Sequence, residues 1–144
     1  MMRGVLLDTN VLSELMRPQP SAVVLGWFAE QKNTVFYTSA ITQAELLLGV
    51  ALLPDGKRRV AIANAVEQML EQDFVGRCLP FDDLAAHEYA VLVATRNKIG
   101  MPISTEDAQI AAIALHHGLA LATRNTKDFR KINELVLLDP WIAR

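Results

Sequence analysis

The apolar run Val5-Leu6-Leu7 halts at Asp8-Thr9-Asn10, and the same pattern returns at Leu119 to Ala122 ahead of Thr123-Arg124-Asn125. Runs this short, apolar without alternation, read as strands buried on both faces that deliver polar residues at their carboxyl ends. Thr34-Val35-Phe36-Tyr37-Thr38, β-branched and aromatic, predicts another strand, and Leu135 to Leu138 a short last one. The segments between them carry helical spacing. Strands that alternate with helices predict βαβ units, so the expected fold is α/β: a small parallel sheet flanked by helices on both faces, with residues 1–144 as one domain.

The intervening segments give their own limits. Val11, Leu12, Leu15 and Met16 predict a short helix that stops before Pro18 and Pro20, and Ser21 is placed to cap a second helix carrying Val24, Trp27 and Phe28. Ser39 or Thr42 starts a helix that runs through Leu53 to Pro54-Asp55-Gly56, and Lys57 to Gln72 reads as the next helix. Cys78-Leu79-Pro80-Phe81 reads as a short apolar connector. Asp82 opens a helix to about Asn97 with Leu84, His87, Val91 and Ala94 along one face. Ser104-Thr105-Glu106-Asp107 is a helix start, and Gly118 the stop.

Composition narrows the function classes. With 14 Lys+Arg against 16 Asp+Glu the net charge is −2, which gives no electrostatic footprint for non-specific nucleic-acid binding; a polyanion would need a local site or a metal. The single cysteine, Cys78, cannot pair within the chain, so a disulfide-stapled scaffold is excluded. Gln43 and Glu45 interrupt the richest apolar stretch, leaving no membrane span, and only three apolar residues precede Asp8, too few for a signal peptide. The expected location is the cytoplasm.

In open parallel sheets ligands bind beyond the carboxyl ends of the strands, which directs attention to four acids. Asp8 ends the first strand, Glu45 lies on the helix after the second, Asp107 starts the Ala-rich helix and Asp128 follows the strand at Leu119 to Ala122. Each has a structural reading as well. Asp8 or Asn10 can cap the short helix that follows, Asp107 fits a capping box opened by Ser104, and Asp128 can cap a short helix at Phe129 to Asn133. Glu45 resists that explanation, because Ile41, Leu48 and Gly49 share its helical face and place a carboxylate on an apolar stripe. Asp107 shares a face with Ile110, Ala111 and Ala114. No basic residue on the same elements is placed to neutralise these acids. Convergent carboxylates would raise each other's pKa unless a divalent cation held them ionised, and hard oxygen ligands suit Mg²⁺ or Mn²⁺. The chemistry such a site supports is metal-assisted phosphoryl transfer.

The segments Asp8-Thr9-Asn10-Val11-Leu12, Glu45-Leu46-Leu47-Leu48-Gly49, Asp107 to Ala114, and Leu121-Ala122-Thr123-Arg124-Asn125 with Asp128-Phe129 resemble, in order and spacing, the motifs of PIN-domain ribonucleases. The likeness is greatest to the VapC/FitB-type toxins of bacterial type II toxin–antitoxin modules and spans Leu6 to about Trp141. It implies a Mg²⁺-dependent (or Mn²⁺-dependent) endoribonuclease that hydrolyses RNA phosphodiester bonds. By position, Asp8 and Asp107 would ligate the metal, Glu45 would complete the first site, and the fourth acid would come from the Asn125 to Asp128 segment. Asn10 and Thr123 would orient carboxylates or water. Some members carry aspartate where this chain has Asn125, so Asp128 would serve alone as the fourth metal ligand. The resemblance further implies a cognate VapB/FitA-type antitoxin, a homodimer, and contact with DNA only through the antitoxin.

The remaining polar residues read more plainly. Arg124 is either a phosphate contact or a solvated charge, and Lys57-Arg58-Arg59 an RNA contact or a solvated helix start. His116-His117 suits a helix dipole, while His87 and Cys78 read as packing residues. Leu12, Leu15, Met16, Trp27 and Phe28 form either a groove for a partner helix or ordinary core. Two rival functions stand beside the nuclease. A Mg²⁺-dependent aspartyl phosphatase would use Asp8 as nucleophile but generally wants a second acid two residues on, where this chain has Asn10. A non-catalytic binding domain would use the acids as helix caps.

Overall fold

In the computed structural model, which describes residues 2–142, the Val5-Leu6-Leu7 run lies in the central strand of a five-stranded parallel sheet. The strands are β1 (Arg3–Leu7), β2 (Thr34–Ser39), β3 (Cys78–Leu79), β4 (Ala120–Ala122) and β5 (Leu137–Leu138), in the order β3-β2-β1-β4-β5. Val5 stands between Phe36 and Ala120, and Leu7 is level with Ala122. Both faces are covered, as an unalternating apolar strand requires. Leu6 and Leu121 point into one core layer with Ala85, Leu92 and the Ala-rich helix, whereas Val5, Leu7, Ala120 and Ala122 point into the other with Val11, Leu12, Trp27, Leu46 and Val66.

Six helices make these layers: α1 (Thr9–Leu15), α2 (Ala22–Glu30), α3 (Ala40–Ala51), α4 (Lys57–Gln68), α5 (Asp83–Lys98) and α6 (Thr105–His116). Their starts follow the sequence signals. The side chains of Ser21, Ser39, Asp82 and Ser104 accept hydrogen bonds from the backbone N–H groups of Val24, Thr42, Ala85 and Asp107. Gly118, with φ 64°, takes the left-handed conformation that ends α6.

Four expectations are corrected. Cys78-Leu79 is a strand rather than a connector: it pairs with Thr38-Ser39 and satisfies backbone groups along that edge of β2, but two residues are too few to show a period. The helix expected to reach Gln72 is regular only to Gln68 and continues as a wide turn, Met69–Asp73, in which Phe74 N–H bonds to Met69 C=O at 3.0 Å. That widening lets Met69 and Phe74 both enter the core. The α5 face of Leu84, His87, Val91 and Ala94 faces solvent. Ala85, Leu92 and Arg96 are the buried residues, because small Ala85 allows close packing against the alanines of α6. No helix spans Phe129 to Asn133; a 3-10 turn covers Thr126–Phe129, and Lys131 and Glu134, at φ 62° and 68°, prevent its continuation as a helix.

Arg96 is buried at the end of α5 without a carboxylate partner among the described residues. Its Nε donates to Met101 C=O at 2.6 Å, and one terminal nitrogen donates to the carbonyls of Asp128 at 3.1 Å and Arg130 at 2.6 Å. Three carbonyl acceptors replace the solvent the guanidinium has lost, and they tie the turn after β4 to the rest of the fold. No helix among the described residues is long and apolar enough to cross a membrane.

Candidate active site at the carboxyl edge of the sheet

The strand order reverses between β1 and β4, and the residues following those strands meet in the crevice this leaves. Asp8, one residue beyond β1, is only 5% exposed. Its Oδ1 accepts from Thr9 N–H at 2.9 Å, so it does cap α1. Its Oδ2 accepts from the Thr123 hydroxyl at 2.8 Å and from Asn10 Nδ2 at 3.4 Å. Asn10 extends the network, for its Nδ2 also reaches Thr123 Oγ1 at 3.4 Å and its Oδ1 accepts from Arg124 N–H at 3.3 Å. Capping and cavity lining are therefore compatible at Asp8.

A cavity of about 520 Å³ opens above this network and is lined by Asp8, Thr9, Asn10, Glu45, Asp107 and Asn125. Asp107, in the first turn of α6, is half-buried, and Ser104 rather than Asp107 supplies the cap. Glu45 is exposed, which corrects the inference of a buried stripe. Ile41 is only partly buried and Leu48 is 58% exposed, and the packed side of α3 is that of Thr42 and Leu46. The carboxylate is nevertheless fixed, because Glu45 Oε1 accepts from the Thr9 hydroxyl at 2.7 Å. Asp128 is exposed, within the 3-10 turn, and does not line the cavity. Its charge still lies near enough to raise the pKa of Asp107. Asn125 opens that turn, with its N–H bonded to Thr123 Oγ1 at 3.1 Å.

Electrostatics distinguish these acids. Burial pushes Asp8 from 3.8 to about 6, against the hydrogen bonds of Thr123 and Thr9, and the charges of Asp107 and Glu45 push in the same direction. Asp107 is likewise raised, first by burial and then by Asp128, Glu45 and Glu106, with Ser104 opposing. Loss of solvent outweighs mutual repulsion at both. The ion pairs among the described residues are Glu14–Arg17 at 3.3 Å and Asp55–Arg59 at 2.6 Å, so no cationic side chain neutralises Asp8 or Asp107.

A buried carboxylate without a cationic partner, facing a second one across a cavity of oxygen donors, fits a hard divalent cation. Among the described residues no three acidic, histidine or cysteine side chains are already gathered as a ligand set.

The cavity has walls that the sequence did not disclose, Ser13, Glu14, Arg17 and Trp141, and Arg124, read as a phosphate contact or a solvated charge, lines it too. Glu14 is buried, and its Oε2 accepts from Ser21 N–H at 2.9 Å. Ser21 chiefly, with Arg17, holds its pKa below the usual range. Its spacing from Arg17 was the available signal. Trp141 stands three residues beyond β5, so the rule that located the acids reaches it less directly than it reaches Asp8. Of the two readings of Leu12, Leu15, Met16, Trp27 and Phe28, the structure gives core: Leu12 and Trp27 are buried and the other three, partly buried, pack against that cluster. An apolar groove of about 700 Å³ lies beside the cavity, between α1, α3 and α4, with Met16, Leu46, Val50, Leu53, Ile62 and Val66 on its walls. His87, expected in the packing, is exposed.

A parallel α/β sheet whose strand-order reversal gathers acids in one cavity defines a class of domain that acts at the carboxyl edge of its strands. Within it, this chain belongs to the PIN domain family, whose model matches residues 5–135. The chain is 42% identical over 137 residues to the VapC ribonuclease Y4jK of Sinorhizobium fredii, covering 95% of this chain and 97% of the relative. It is 42% identical over 137 residues to the toxin FitB of Neisseria gonorrhoeae, covering 95% and 98%. The solved structure of FitAB bound to the IR36 DNA fragment contains a chain that superposes with a TM-score of 0.86 at 39% identity, covering 97% of each.

Proposed function

We propose that residues 1–144 act as a single PIN-like domain, a divalent-metal-dependent endoribonuclease that is the toxin of a toxin–antitoxin pair and works in the cytoplasm. The observation that carries this reading is that Asp8, Glu45 and Asp107 line one cavity with no cationic side chain paired to Asp8 or Asp107. The similarity to a protein named VapC ribonuclease supports RNA as the substrate.

Asp8 and Asp107 would hold Mg²⁺ or Mn²⁺, with Glu45 completing the site and Asp128 acting from the turn beside Asp107. When bound, the ion supplies an activated water and stabilises charge on the leaving oxygen. The chain's own groups set the geometry. Thr123, Asn10 and Thr9 N–H fix both oxygens of Asp8, and the Thr9 hydroxyl fixes Glu45, so the carboxylates are oriented before substrate arrives. Asn125 adds an uncharged amide to the wall. Hydrolysis adds water across a P–O bond of the phosphodiester and needs no other co-reactant.

The partner would be an antitoxin of the VapB/FitA type, seated in the apolar groove that shares Thr9, Ser13, Arg17 and Glu45 with the cavity, so that binding there obstructs the acids. DNA would be reached through that partner. A homodimer would cover the exposed apolar face of α5 at Leu84 and Val91.

The test is cleavage of a panel of structured RNAs by purified protein with Mg²⁺ or Mn²⁺, with chelator, and by an identically prepared Asp8→Asn protein. Metal-dependent cleavage absent from the variant supports the reading. Equal cleavage by both proteins, or none with any RNA, overturns it.

A further inference from the structure

The proposed reaction uses the acids of the cavity but leaves one wall unexplained. Trp141 and Arg124 stand there together, with the Arg124 guanidinium carbon 5.1 Å from the centre of the Trp141 ring. Two features make this a built surface rather than a chance contact. Trp141 is fixed from behind: its backbone N–H donates to Asp139 Oδ1 at 2.9 Å, buried Pro140 precedes it, and its side chain packs against one of the two core layers. Arg124 is fixed at its backbone by Asn10 Oδ1 and follows Thr123, the residue that holds Asp8.

The chemistry of this wall differs from the rest of the cavity. Asp8, Glu45 and Asp107 repel a phosphate until a cation is present, and Arg17 is paired with Glu14. The Arg124 guanidinium lies over the half-buried indole of Trp141, so the pair forms one flat, polarisable stack that carries a cation. That surface matches a planar heteroaromatic ring, and single-stranded RNA presents unstacked bases that stack on aromatic rings and on arginine planes.

We propose that Trp141 and Arg124 form a stacking platform for a nucleobase flanking the scissile phosphodiester. The inference rests on the RNA reading above and adds the part of the nucleotide this wall receives. Because every base has a π-face, the platform supplies affinity and position while tolerating sequence. The strand would enter with a base on the Trp141–Arg124 pair and its adjacent phosphate turned toward Asp8 and Asp107.

The test uses full-length, isotope-labelled protein carrying Asp8→Asn, so that the strand persists. It is titrated with a short single-stranded RNA of mixed sequence and with an abasic ribose-phosphate strand of the same length. The indole N–H resonances separate the two tryptophans, since Trp27 is buried at 5% exposure and serves as the internal control. The expected result is a shift at Trp141 with the RNA and not with the abasic strand. Trp141→Leu, which keeps apolar packing without a π-face, should weaken RNA binding by about five- to 100-fold, whereas Trp141→Phe should stay within a few-fold. A Trp141 resonance that RNA leaves unmoved, equal affinity for both strands, or a Trp141→Leu protein that binds as tightly as its parent overturns the platform. The two readings fail separately. Wild-type protein that cleaves no RNA while Trp141 responds to bases sinks the nuclease alone, and metal-dependent cleavage with unchanged kcat/KM in Trp141→Leu sinks the platform alone.

Discussion

Asp8→Asn should stabilise the metal-free protein at neutral pH, against the usual effect of altering a buried hydrogen-bonded residue. Burial raises the Asp8 pKa from 3.8 to about 6, so the folded state holds its proton more tightly than the unfolded state does. Where the folded state binds more protons, stability falls as pH rises. Below 3.8 both states are protonated and the group contributes nothing; between 3.8 and about 6 the cost grows, and above about 6 it is complete. The gap corresponds to about 3 kcal/mol. Asparagine carries no such charge.

Part of that gain is offset. The amide keeps one acceptor for Thr9 N–H or the Thr123 hydroxyl and places a donor where the second oxygen stood, at a cost of about 1–2 kcal/mol. The net expectation is about 1–2 kcal/mol in favour of the variant near neutral pH, or a Tm higher by about 3–8 °C. The assay is thermal and denaturant unfolding of both proteins in chelator from acid to mildly alkaline pH. The difference should shrink or reverse as pH falls below Asp8's folded value. Adding Mg²⁺ or Mn²⁺ should then raise the wild type selectively, by about 2.7 kcal/mol at a hundredfold excess over Kd. A variant less stable than wild type in chelator near neutral pH, or a difference that does not vary with pH, refutes the reasoning.

Three further outcomes are expected. Thr38 is buried with no hydrogen-bond partner for its hydroxyl among the described residues, so Thr38→Val should raise stability by about 1 kcal/mol in denaturant unfolding. Arg96→Met removes the donor shared by the Met101, Asp128 and Arg130 carbonyls; unfolding should show a loss of about 3–5 kcal/mol, with faster amide exchange at Asp128. Glu14 has a folded pKa held below 4.5, so its stabilisation is present above that value and lost as pH falls through the lowered one. The Tm deficit of Glu14→Gln should accordingly close in acid.

The framework was legible because it depends on short-range pattern. Unalternating Val5-Leu6-Leu7 forces cover on both faces of its strand, serine caps announce α2 and α6 at the right residues, and Ser39, one of two candidate starts, caps α3. Periodicity failed where a helix carries two apolar faces. On α5 the stripe of Leu84, His87, Val91 and Ala94 is the one left in solvent, and the packed side carries Ala85, Leu92 and Arg96 with Tyr89 and Val93 beside them. On α3 the same ambiguity placed Glu45 in a buried stripe, although its own face is open and a hydroxyl from α1 fixes it. Trp141 is harder to read because it stands three residues beyond β5, after Asp139 and Pro140, rather than directly at the strand end as Asp8 does.

The turn after β4 shows why local sequence left the fourth acid position open. A helix cap is settled within a few residues, but the course of Asn125 to Phe129 is held from one near place and one distant one. Thr123 Oγ1 receives Asn125 N–H, and Arg96, near the end of α5, holds the Asp128 carbonyl. The buried Phe129 ring closes the turn from inside. The same two anchors point Asn125 into the cavity and leave the Asp128 carboxylate outside its wall, acting on Asp107 through charge alone. Sequence identity at either position therefore says little about which side chain faces the site. That assignment is made by a guanidinium about 30 residues earlier in the chain, through carbonyls that every residue possesses.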